Sequence, residues 1–502
     1  MGRIDDFGAP RCAPMGLESW ARVLRLTLGF AVLVLGSSQV AAQDRPSYET
    51  RILQAQDGLV ERLVGLADWC ASEKLFGAAD ETYYQILELE PDNKAARKAL
   101  KFRKRKGVWV QSASYRPPKN QKKAALEELD ARREKVLGRY KERIFELNAE
   151  YAEEVRLDVR VRQLEHLLRM MPDDADVRSS LGETWVDDKW VLKETVVALR
   201  RRELIPDLAK SCIETAPEGK ETKANRLEGE LELHWTTIRK TPYLRVAGTG
   251  KASEVQTVLQ TTLGAGEFFR SLLGTDTLPP VGFAIYLLTN SGEKRQFLDK
   301  HPRVRPENRE FLESLASAGI PGTSQTAQWS PTEIERLDRS VRETIGGMMT
   351  QAFEIRVDQG WAWEGVGLYL TYQLIGTRLT YYKRQGRYVE QEETAEVQKQ
   401  LFKRMYSENS VWLDEARIFF AERRPPKLNF LMGRKVNAMN MQDRLWSYVF
   451  ASYLIEGWPG QASVFFEKIG EGLLPNDASR AAFGMDIGRL EQRVIRWLAE
   501  TE

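Results

Sequence analysis

The chain has 502 residues, enough for roughly two to four domains, and its 42% hydrophobic and 29% charged residues are typical of a globular protein. The formal net charge is only +2, so no strong overall field points to nucleic acid or to a highly acidic partner. The helix-forming residues Glu, Lys, Arg, Leu and Ala prevail, which predicts an α+β fold that is mostly α-helical.

The N-terminal residues 1–42 have the pattern of a signal peptide, which takes no part in the fold. Two arginines precede the apolar run Leu26–Leu35, and Val40–Ala42 supply small residues at the cleavage position. The run of about ten residues is too short to cross a bilayer comfortably. We therefore expect an exported protein, periplasmic or extracellular, with no transmembrane segment after cleavage. An uncleaved anchor is the alternative, and translation starts at Met1 or Met15.

Residues 43–200 are predicted to form a helical repeat region. After a loose polar start, residues 43–60, a helical pair extends from Leu63 to Glu90. This pair resembles one tetratricopeptide-type unit, in which two helices pack through small residues and a proline follows the second helix. A generic helical hairpin is the competing interpretation.

An internal repeat with a period of 81 residues, the spacing from Pro91 to Pro172, lies in this region. Each copy reads as an apolar helix, a Pro-Asp turn, a second helix and a short extended piece that ends in Trp-Val. The shared positions are Pro91-Asp92, Arg97, Leu100 and Trp109-Val110 in the first copy, and Pro172-Asp173, Arg178, Leu181 and Trp190-Val191 in the second. Such units usually serve as a scaffold or a peptide-binding surface. We expect each Trp-Val tryptophan to pack on its own unit.

A long charged helix with a narrow apolar seam is predicted between the two copies, after Pro117-Pro118. The basic run Lys101–Lys106 precedes it and has two interpretations. We predict that the run is the solvated face of a helix. Contact with an anionic polymer is the alternative.

Residues 201–228 are polar and contain Pro206 and Pro217, which predicts a linker. Strand patterns follow it at His234–Gly248 and at Val281–Leu288, with a helical pattern between them. The order after the linker is therefore strand, helix, strand.

The exported chain keeps two cysteines, Cys70 and Cys212. Export permits a disulfide between them. Two unpaired, buried thiols are at least as good an interpretation.

The stretch Ser340–Tyr382 predicts two helices, with Glu343 early on the first and Glu364 early on the second. The second helix has the spacing W-x-x-E-G-x-x-x-Y, formed by Trp361, Glu364, Gly365 and Tyr369. Both helices have an apolar stripe at helical spacing.

This layout resembles the active-site core of gluzincin metallopeptidases, in particular the bacterial peptidase-MA-like group. The first helix of that group carries H-E-x-x-H, and the second carries W-x-x-E-G-x-x-x-Y, whose glutamate is the third zinc ligand. The resemblance puts Glu343 at the general-base position and Glu364 at the third-ligand position. Both histidine positions have changed, to Arg342 and Gly346.

The resemblance covers about residues 230–500 and implies two parts. Residues 229–390 would form a gluzincin-like domain, in which a small sheet roofs the substrate cleft and an edge strand holds peptide by β-addition. Residues 391–502 would form a helical C-terminal subdomain.

The two changed positions argue against a zinc site. Zinc in this setting needs two neutral imidazoles one helical turn apart, a carboxylate and an open water position. Gly346 has no ligand atom, and Arg342 stays protonated. None of the chain's three histidines belongs to an i, i+4 pair: His166, His234 and His301. We therefore predict no zinc and no other cofactor, with vestigial ligand positions at Arg342, Gly346 and Glu364.

In place of the metal we predict a structural ion pair between Arg342 and Glu364, because a buried carboxylate is costly unless it is paired. We expect water or an aromatic ring to fill the gap at Gly346. A solvent-facing glutamate is the competing interpretation of Glu343. Core packing is the default for the aromatic residues of this stretch, which are Trp361, Trp363, Tyr369, Tyr372, Tyr381 and Tyr382.

Three functions remain open. The first is an exported pseudoenzyme, a non-catalytic relative of zinc metallopeptidases that binds a peptide or a partner protein in the envelope and does not bind nucleic acid. The second is an active hydrolase with an atypical site, in which Glu343 and Glu364 hold a metal, although oxygen-only sites usually need more ligands than two. The third is a purely structural envelope protein.

Overall fold

The computed structural model describes residues 45–277, 282–315, 317–377, 379, 395–407 and 409–501. The fold is α+β and mostly α-helical, as the sequence predicts; the described residues include a six-stranded sheet and two β-hairpins. The chain divides into two compact units, one that ends at Pro172 and one that begins at Asp173. The predicted signal peptide lies outside the described residues.

The first unit contains five helices among its described residues: α1 (Tyr48–Ser72), α2 (Phe76–Leu89), α3 (Lys94–Ala99), α4 (Leu126–Glu150) and α5 (Leu157–Met170). Helix α1 begins at the N-cap Ser47, whose side chain accepts a hydrogen bond from the Thr50 amide. The prediction of a loose start over residues 43–60 is therefore wrong from Tyr48 onwards. The apolar stripe that includes Ile52 and Leu59 is buried, and α1 packs against α2 and α4.

The two copies of the internal repeat have the same local structure, each within its own unit. The first copy is α3 followed by the hairpin β1 (Phe102–Arg105) and β2 (Val108–Gln111); the second is α6 (Ala175–Ser180) followed by β3 (Glu183–Val186) and β4 (Lys189–Leu192). Both hairpins turn through two residues with positive φ, as type I′ turns require. These residues are Lys106 and Gly107 in the first copy and Asp187 and Asp188 in the second.

The shared arginine and tryptophan hold each copy together. The guanidinium of Arg97 lies 5.5 Å from the ring centroid of Trp109, and that of Arg178 lies 5.5 Å from the ring centroid of Trp190. The indole N–H of Trp109 also donates to Asp92 at 2.6 Å. The prediction that Lys101–Lys106 is the face of a helix is wrong, because this run forms most of β1 and its turn.

The second unit continues from the hairpin β3–β4 into fourteen further helices among its described residues. They are α7 (Lys193–Glu214), α8 (Arg226–Glu230), α9 (Ala252–Leu273), α10 (Ser291–Lys300), α11 (Pro306–Glu313), α12 (Glu333–Phe353), α13 (Gly360–Ile375), α14 (Ala395–Met405), α15 (Trp412–Glu422), α16 (Leu428–Met432), α17 (Met441–Gly457), α18 (Gln461–Gly470), α19 (Pro475–Phe483) and α20 (Ile487–Glu500). Helix α17 is buried along its whole length except at Gln442. A helix that is covered on every side lies inside the core, and α13 packs along it.

The six-stranded sheet has the order β5-β6-β7-β8-β10-β9. Its strands are β5 (Lys220–Glu221), β6 (Thr237–Lys240), β7 (Leu244–Gly248), β8 (Phe283–Leu287), β9 (Ser317–Gly319) and β10 (Gln325–Gln328). The three central strands are parallel, and the outer pairs are antiparallel. Helix α9 covers one face through Val255 and Leu259, and α10 and α11 cover the other through Phe297 and Leu312.

The predicted linker, residues 201–228, is wrong. Helix α7 includes Pro206 and extends to Glu214, and its apolar side chains Ile205 and Cys212 are buried in the core. A proline inside a helix costs about 3 kcal/mol, but burial of the rest of the stripe offsets that cost. The remaining residues form the edge strand β5 and helix α8.

The predicted domain boundaries also need correction. Residues 173–200 belong to the second unit rather than to a region 43–200. Residues 229–390 and 391–502 do not form separate parts, because one hydrophobic core contains Trp361 and Val366 together with Phe450 and Trp497. The apolar faces on either side of residue 390 are buried against each other.

Both cysteines are free and buried, and burial raises the pKa of the Cys70 and Cys212 thiols. Among the helices of the described residues, none is long and apolar enough to span a membrane.

Candidate functional site

Helices α12 and α13 carry the residues that the sequence analysis selected. Helix α12 starts at the N-cap Thr332, whose hydroxyl accepts from the Glu335 amide, and it ends at Glu354 in a left-handed conformation with φ of 57°. Glycines allow α13 to approach its neighbours closely. A Cβ at Gly365 would lie 2.4 Å from the backbone oxygen of Ser447 on α17, so no larger residue fits there without movement.

The structure brings Arg342 and Glu364 together. Arg342 Nη1 lies 3.3 Å from Glu364 Oε2, at the junction of α12 and α13. The exposed fraction of the whole residue is 4% for Arg342 and 0% for Glu364. The two side chains therefore form a desolvated ion pair inside the core.

Two further charged residues complete what we call the buried charge cluster, which consists of Asp338, Arg342, Glu364 and Arg444. Arg342 Nε lies 3.6 Å from Asp338 Oδ1, one turn earlier on α12. Arg444 Nε, on α17, lies 3.8 Å from Glu364 Oε1. Two arginines thus face two carboxylates, which keeps the formal charge of the cluster at zero.

The cluster is electrostatically matched but incompletely hydrogen bonded. Arg342 Nε and Nη2, Glu364 Oε1 and Arg444 Nε make no hydrogen bond with any other described residue. Burial raises the pKa of Asp338, and Arg342 opposes that shift only in part. The Thr377 hydroxyl donates to the other oxygen of Asp338. The cluster thus connects three helices mainly through charge attraction at low dielectric.

Gly346 lies beneath an aromatic ring. A Cβ built on Gly346 would be 2.3 Å from Cζ2 of Trp363, well inside the closest real contacts of a Cβ atom. The Trp363 indole therefore occupies the space into which a larger side chain at position 346 would project. Of the two fillers that the sequence analysis offered, water and a ring, the structure has the ring.

Glu343 is half-buried rather than fully exposed, and it lies close enough to Arg339 to influence it. Burial lowers the pKa of the Arg339 guanidinium, and the negative charges of Asp338 and Glu343 partly oppose this effect. Arg339 Nε donates to the Ser330 hydroxyl at 3.1 Å. Glu343 therefore contributes, with Asp338, to the negative charge that acts on Arg339.

The aromatic residues of α13 are mostly core residues. Trp361 is fully buried and stacks on Phe466, with ring centroids 6.0 Å apart. The Tyr369 hydroxyl donates to Glu456 at 3.0 Å. Trp363 and Tyr372 are half-buried, and Tyr381 and Tyr382 lie outside the described residues.

The residues present do not fit the zinc ion that the resemblance implies. Arg342 is a permanent cation at the first imidazole position, and it is already paired with the carboxylate that would be the third ligand. The Trp363 ring covers the second imidazole position. Within the described ranges, no group of three or more His, Cys, Asp or Glu side chains is arranged to hold a metal ion.

Three residues of this site were not predicted from the sequence. Asp338 had a local signal, since it precedes Arg342 by four residues on a predicted helix and therefore shares its face. Trp363 was identified only as one of the aromatic residues of the stretch Ser340–Tyr382. Arg444 had no local signal, because it lies far along the chain on α17.

Comparison of the chain with protein-family models, with curated proteins and with solved structures finds no match.

Proposed function

We propose that the chain is an exported, non-catalytic relative of zinc metallopeptidases that binds a peptide or a partner protein. One observation carries the proposal: the Arg342 guanidinium pairs with Glu364 at 3.3 Å. The resemblance puts these two residues at the positions of the first and third metal ligands. The Trp363 ring over Gly346 also supports the proposal. Where the resemblance expects two zinc-binding histidines, this chain has an ion pair at Arg342 and a packed aromatic ring at Gly346. An active hydrolase using Glu343 and Glu364 is less well supported, since Arg342 and Arg444 already face Glu364.

The sheet supports the binding part of the proposal. Strand β9 is an edge strand, and it contacts α12, the helix that carries Arg342. Extended peptides add to such edges through main-chain hydrogen bonds, which tolerate many sequences. Ile320 donates to Gln325 across the pair β9–β10. The alternation of antiparallel ladders then directs the amide of Gly319 away from β10, towards an incoming strand.

Three measurements on the chain without residues 1–42 test the proposal. Elemental analysis should find far less than one zinc per chain, and a protease assay should find no activity above that of a matched blank. An array of short unstructured peptides should retain the protein. One bound zinc together with peptide hydrolysis would contradict the non-catalytic assignment.

A pair of variants at one position tests the binding edge. Gly319→Pro removes the outward amide and should weaken peptide binding at least tenfold. Gly319→Ala keeps the amide, and its Cβ meets no heavy atom within 4 Å, so binding should stay unchanged. Equal binding by both variants would exclude β9 as the binding edge, and absence of binding by the unmodified protein would favour the purely structural function.

A further inference from the structure

The first unit contains an open cavity of about 800 Å³. It lies between helix α3, the hairpin β1–β2 and the segment that follows the hairpin. This volume is within the range of small-molecule sites, roughly 300 to 1,000 Å³. The cavity belongs to a different unit from the buried charge cluster, and it is independent of the proposed function.

The lining of the cavity is strongly basic. It includes six cations, Lys94, Arg97, Lys98, Lys101, Arg103 and Arg116, and a single acidic residue, Asp80. Two of the cations have structural partners, since Arg97 donates to the carbonyl of Pro91 and Arg116 to that of Ala113. The other four, three lysines and Arg103, form no ion pair within the described part of the chain. Their charges are therefore free to attract an anion.

The second copy of the repeat shows that these four cations are not needed for the local fold. At the same offsets, the second copy has Ala175, Ser179, Gly182 and Thr184 in place of Lys94, Lys98, Lys101 and Arg103. Its helix and hairpin form nonetheless. The arginine that both copies share packs on its tryptophan in each, so the common residues account for the common structure.

The one cation that both copies share is neutralised in the second copy, as Arg178, but not in the first, as Arg97. Arg178 Nη1 pairs with Glu183 at 2.7 Å. In the first copy the residue equivalent to Glu183 is Phe102, and the guanidinium of Arg97 lies 4.4 Å from its ring centroid. The second copy thus has a carboxylate where the first has an aromatic ring. Arg97 of the first copy therefore has no carboxylate at this position to neutralise its charge.

Lys101 occupies a backbone position that suits glycine. Its φ is 57°, and that of the equivalent Gly182 is 83°. The left-handed conformation is unfavourable for a residue with a Cβ atom, and glycine adopts it without strain. The first copy therefore has a lysine where the backbone favours the residue that the second copy has.

Three aromatic side chains, Phe102, Trp109 and Tyr115, also line the cavity, and each is half-buried. Aromatic side chains that line a cavity can pack against the flat or apolar body of a ligand. Lysines and arginines around them bind phosphate oxygens, lysine as a point charge and arginine as a fork. The cavity thus combines clustered cations with a surface for packing.

We infer that this cavity binds a compact organic polyanion with clustered phosphate groups, which contact Lys94, Lys98, Lys101 and Arg103 while the ligand body packs on the aromatic side chains. Such a ligand is either a soluble phosphorylated molecule or the phosphorylated head group of a lipid. The limited volume of about 800 Å³ favours a compact ligand over a long single-stranded nucleic acid, which would follow an extended groove.

Calorimetric titration of the full chain without residues 1–42 tests the inference. Inositol hexakisphosphate is the soluble probe, and phosphatidylcholine vesicles that contain a phosphoinositide bisphosphate are the membrane probe. We expect saturable binding of inositol hexakisphosphate that weakens as the salt concentration rises. Binding to the vesicles with little affinity for the soluble probe would also support the inference and would identify a lipid as the source.

Variants that carry the residues of the second copy locate the site. The quadruple variant Lys94→Ala, Lys98→Ser, Lys101→Gly and Arg103→Thr should fold, because the second copy folds with those residues, and circular dichroism checks this. Each removed cation should weaken binding roughly fivefold. The quadruple variant should therefore lose nearly all measurable binding.

A matched pair of double variants separates the cavity from general charge. Lys98→Ser with Arg103→Thr should weaken binding roughly 25-fold. Lys135→Ser with Arg139→Ser removes the same charge from exposed positions on α4, outside the cavity, and should change binding less than about twofold. Equal losses in the two double variants, no binding of either probe, or tighter binding of a single-stranded oligonucleotide would overturn the inference.

Discussion

The indole of Trp363 lies where a side chain on Gly346 would begin, with only 2.3 Å between a Cβ built on Gly346 and Trp363 Cζ2. Gly346→Ala should therefore force the ring or the two helices to move, with a loss of about 1 to 3 kcal/mol in the free energy of unfolding. Gly367→Ala on α13 is the control. Its Cβ would meet no heavy atom within 4 Å, so it should be neutral or stabilise by up to about 1 kcal/mol. Urea unfolding of both variants measures the difference.

Removal of the Arg342 side chain should be costly. Arg342→Ala leaves the fully buried Glu364 with only Arg444, at 3.8 Å, and removes the ion pair that Arg342 makes with Asp338. We expect a loss of about 3 kcal/mol in the free energy of unfolding. Arg226→Ala is the control, because Arg226 is 93% exposed in its pair with Glu230 and should cost less than about 1 kcal/mol. Similar losses from the two variants would show that the Arg342 pair is not buried in solution.

A zinc site should require three changes rather than two. Arg342→His with Gly346→His supplies the imidazoles, but the new side chain at position 346 would collide with Trp363. Adding Trp363→Ala opens that space, so the triple variant should retain about one zinc per chain after dialysis, and the double variant should not. The triple variant with Glu364→Gln added is the control and should lose the metal. Retention by the double variant would show that Trp363 moves aside readily.

The free energy of unfolding should depend on pH through the ionisation of Glu183. Burial of this carboxyl opposes its ionisation, but Arg496 at 2.6 Å and Arg178 at 2.7 Å outweigh burial, so the pKa of Glu183 is below its ordinary value. A lowered folded-state pKa stabilises the protein above the unfolded pKa, about 4.3, and that stabilisation disappears as the pH falls through the folded pKa. Glu183→Gln should therefore destabilise most near pH 7, and its difference from the unmodified protein should shrink below about pH 4. Denaturant titrations across this range measure it, and a pH-independent difference would contradict it.

Local patterns predicted several of the individual elements. The repeated Arg and Trp-Val positions lie in two segments with the same local helix and hairpin structure, and the alternation around Leu244 and Val246 indicated β7. The linker prediction failed because Pro206 was given more weight than the apolar spacing around it. The energy of burying Ile205 and Cys212 depends on α9 and α17, which no local window contains.

The residues of the candidate site also divide into those that were predicted from the sequence and those that depend on three-dimensional packing. The resemblance to the gluzincin core predicted the pair of Arg342 and Glu364, whose side chains lie 3.3 Å apart. The contribution of Arg444 depends on how α17 crosses α13, which the backbone contact between Gly365 and Ser447 determines. A crossing of this kind is a property of three-dimensional packing, so a single sequence does not encode it in any local pattern.

Ion pairs join the early and late segments of the second unit. We expect them to affect when the unit can finish folding during synthesis. Glu183 pairs with Arg496, Glu194 with Arg493 and Arg202 with Glu456, so the first segments of this unit bind the last ones. Glu194 is only 3% exposed, and both its guanidinium partner and the Tyr453 hydroxyl come from late segments. Until α20 leaves the ribosome, Glu194 lacks its partner Arg493, and Glu183 has only Arg178. We therefore expect the second unit to complete its packing only after α20 has joined the segments around Glu183 and Glu194.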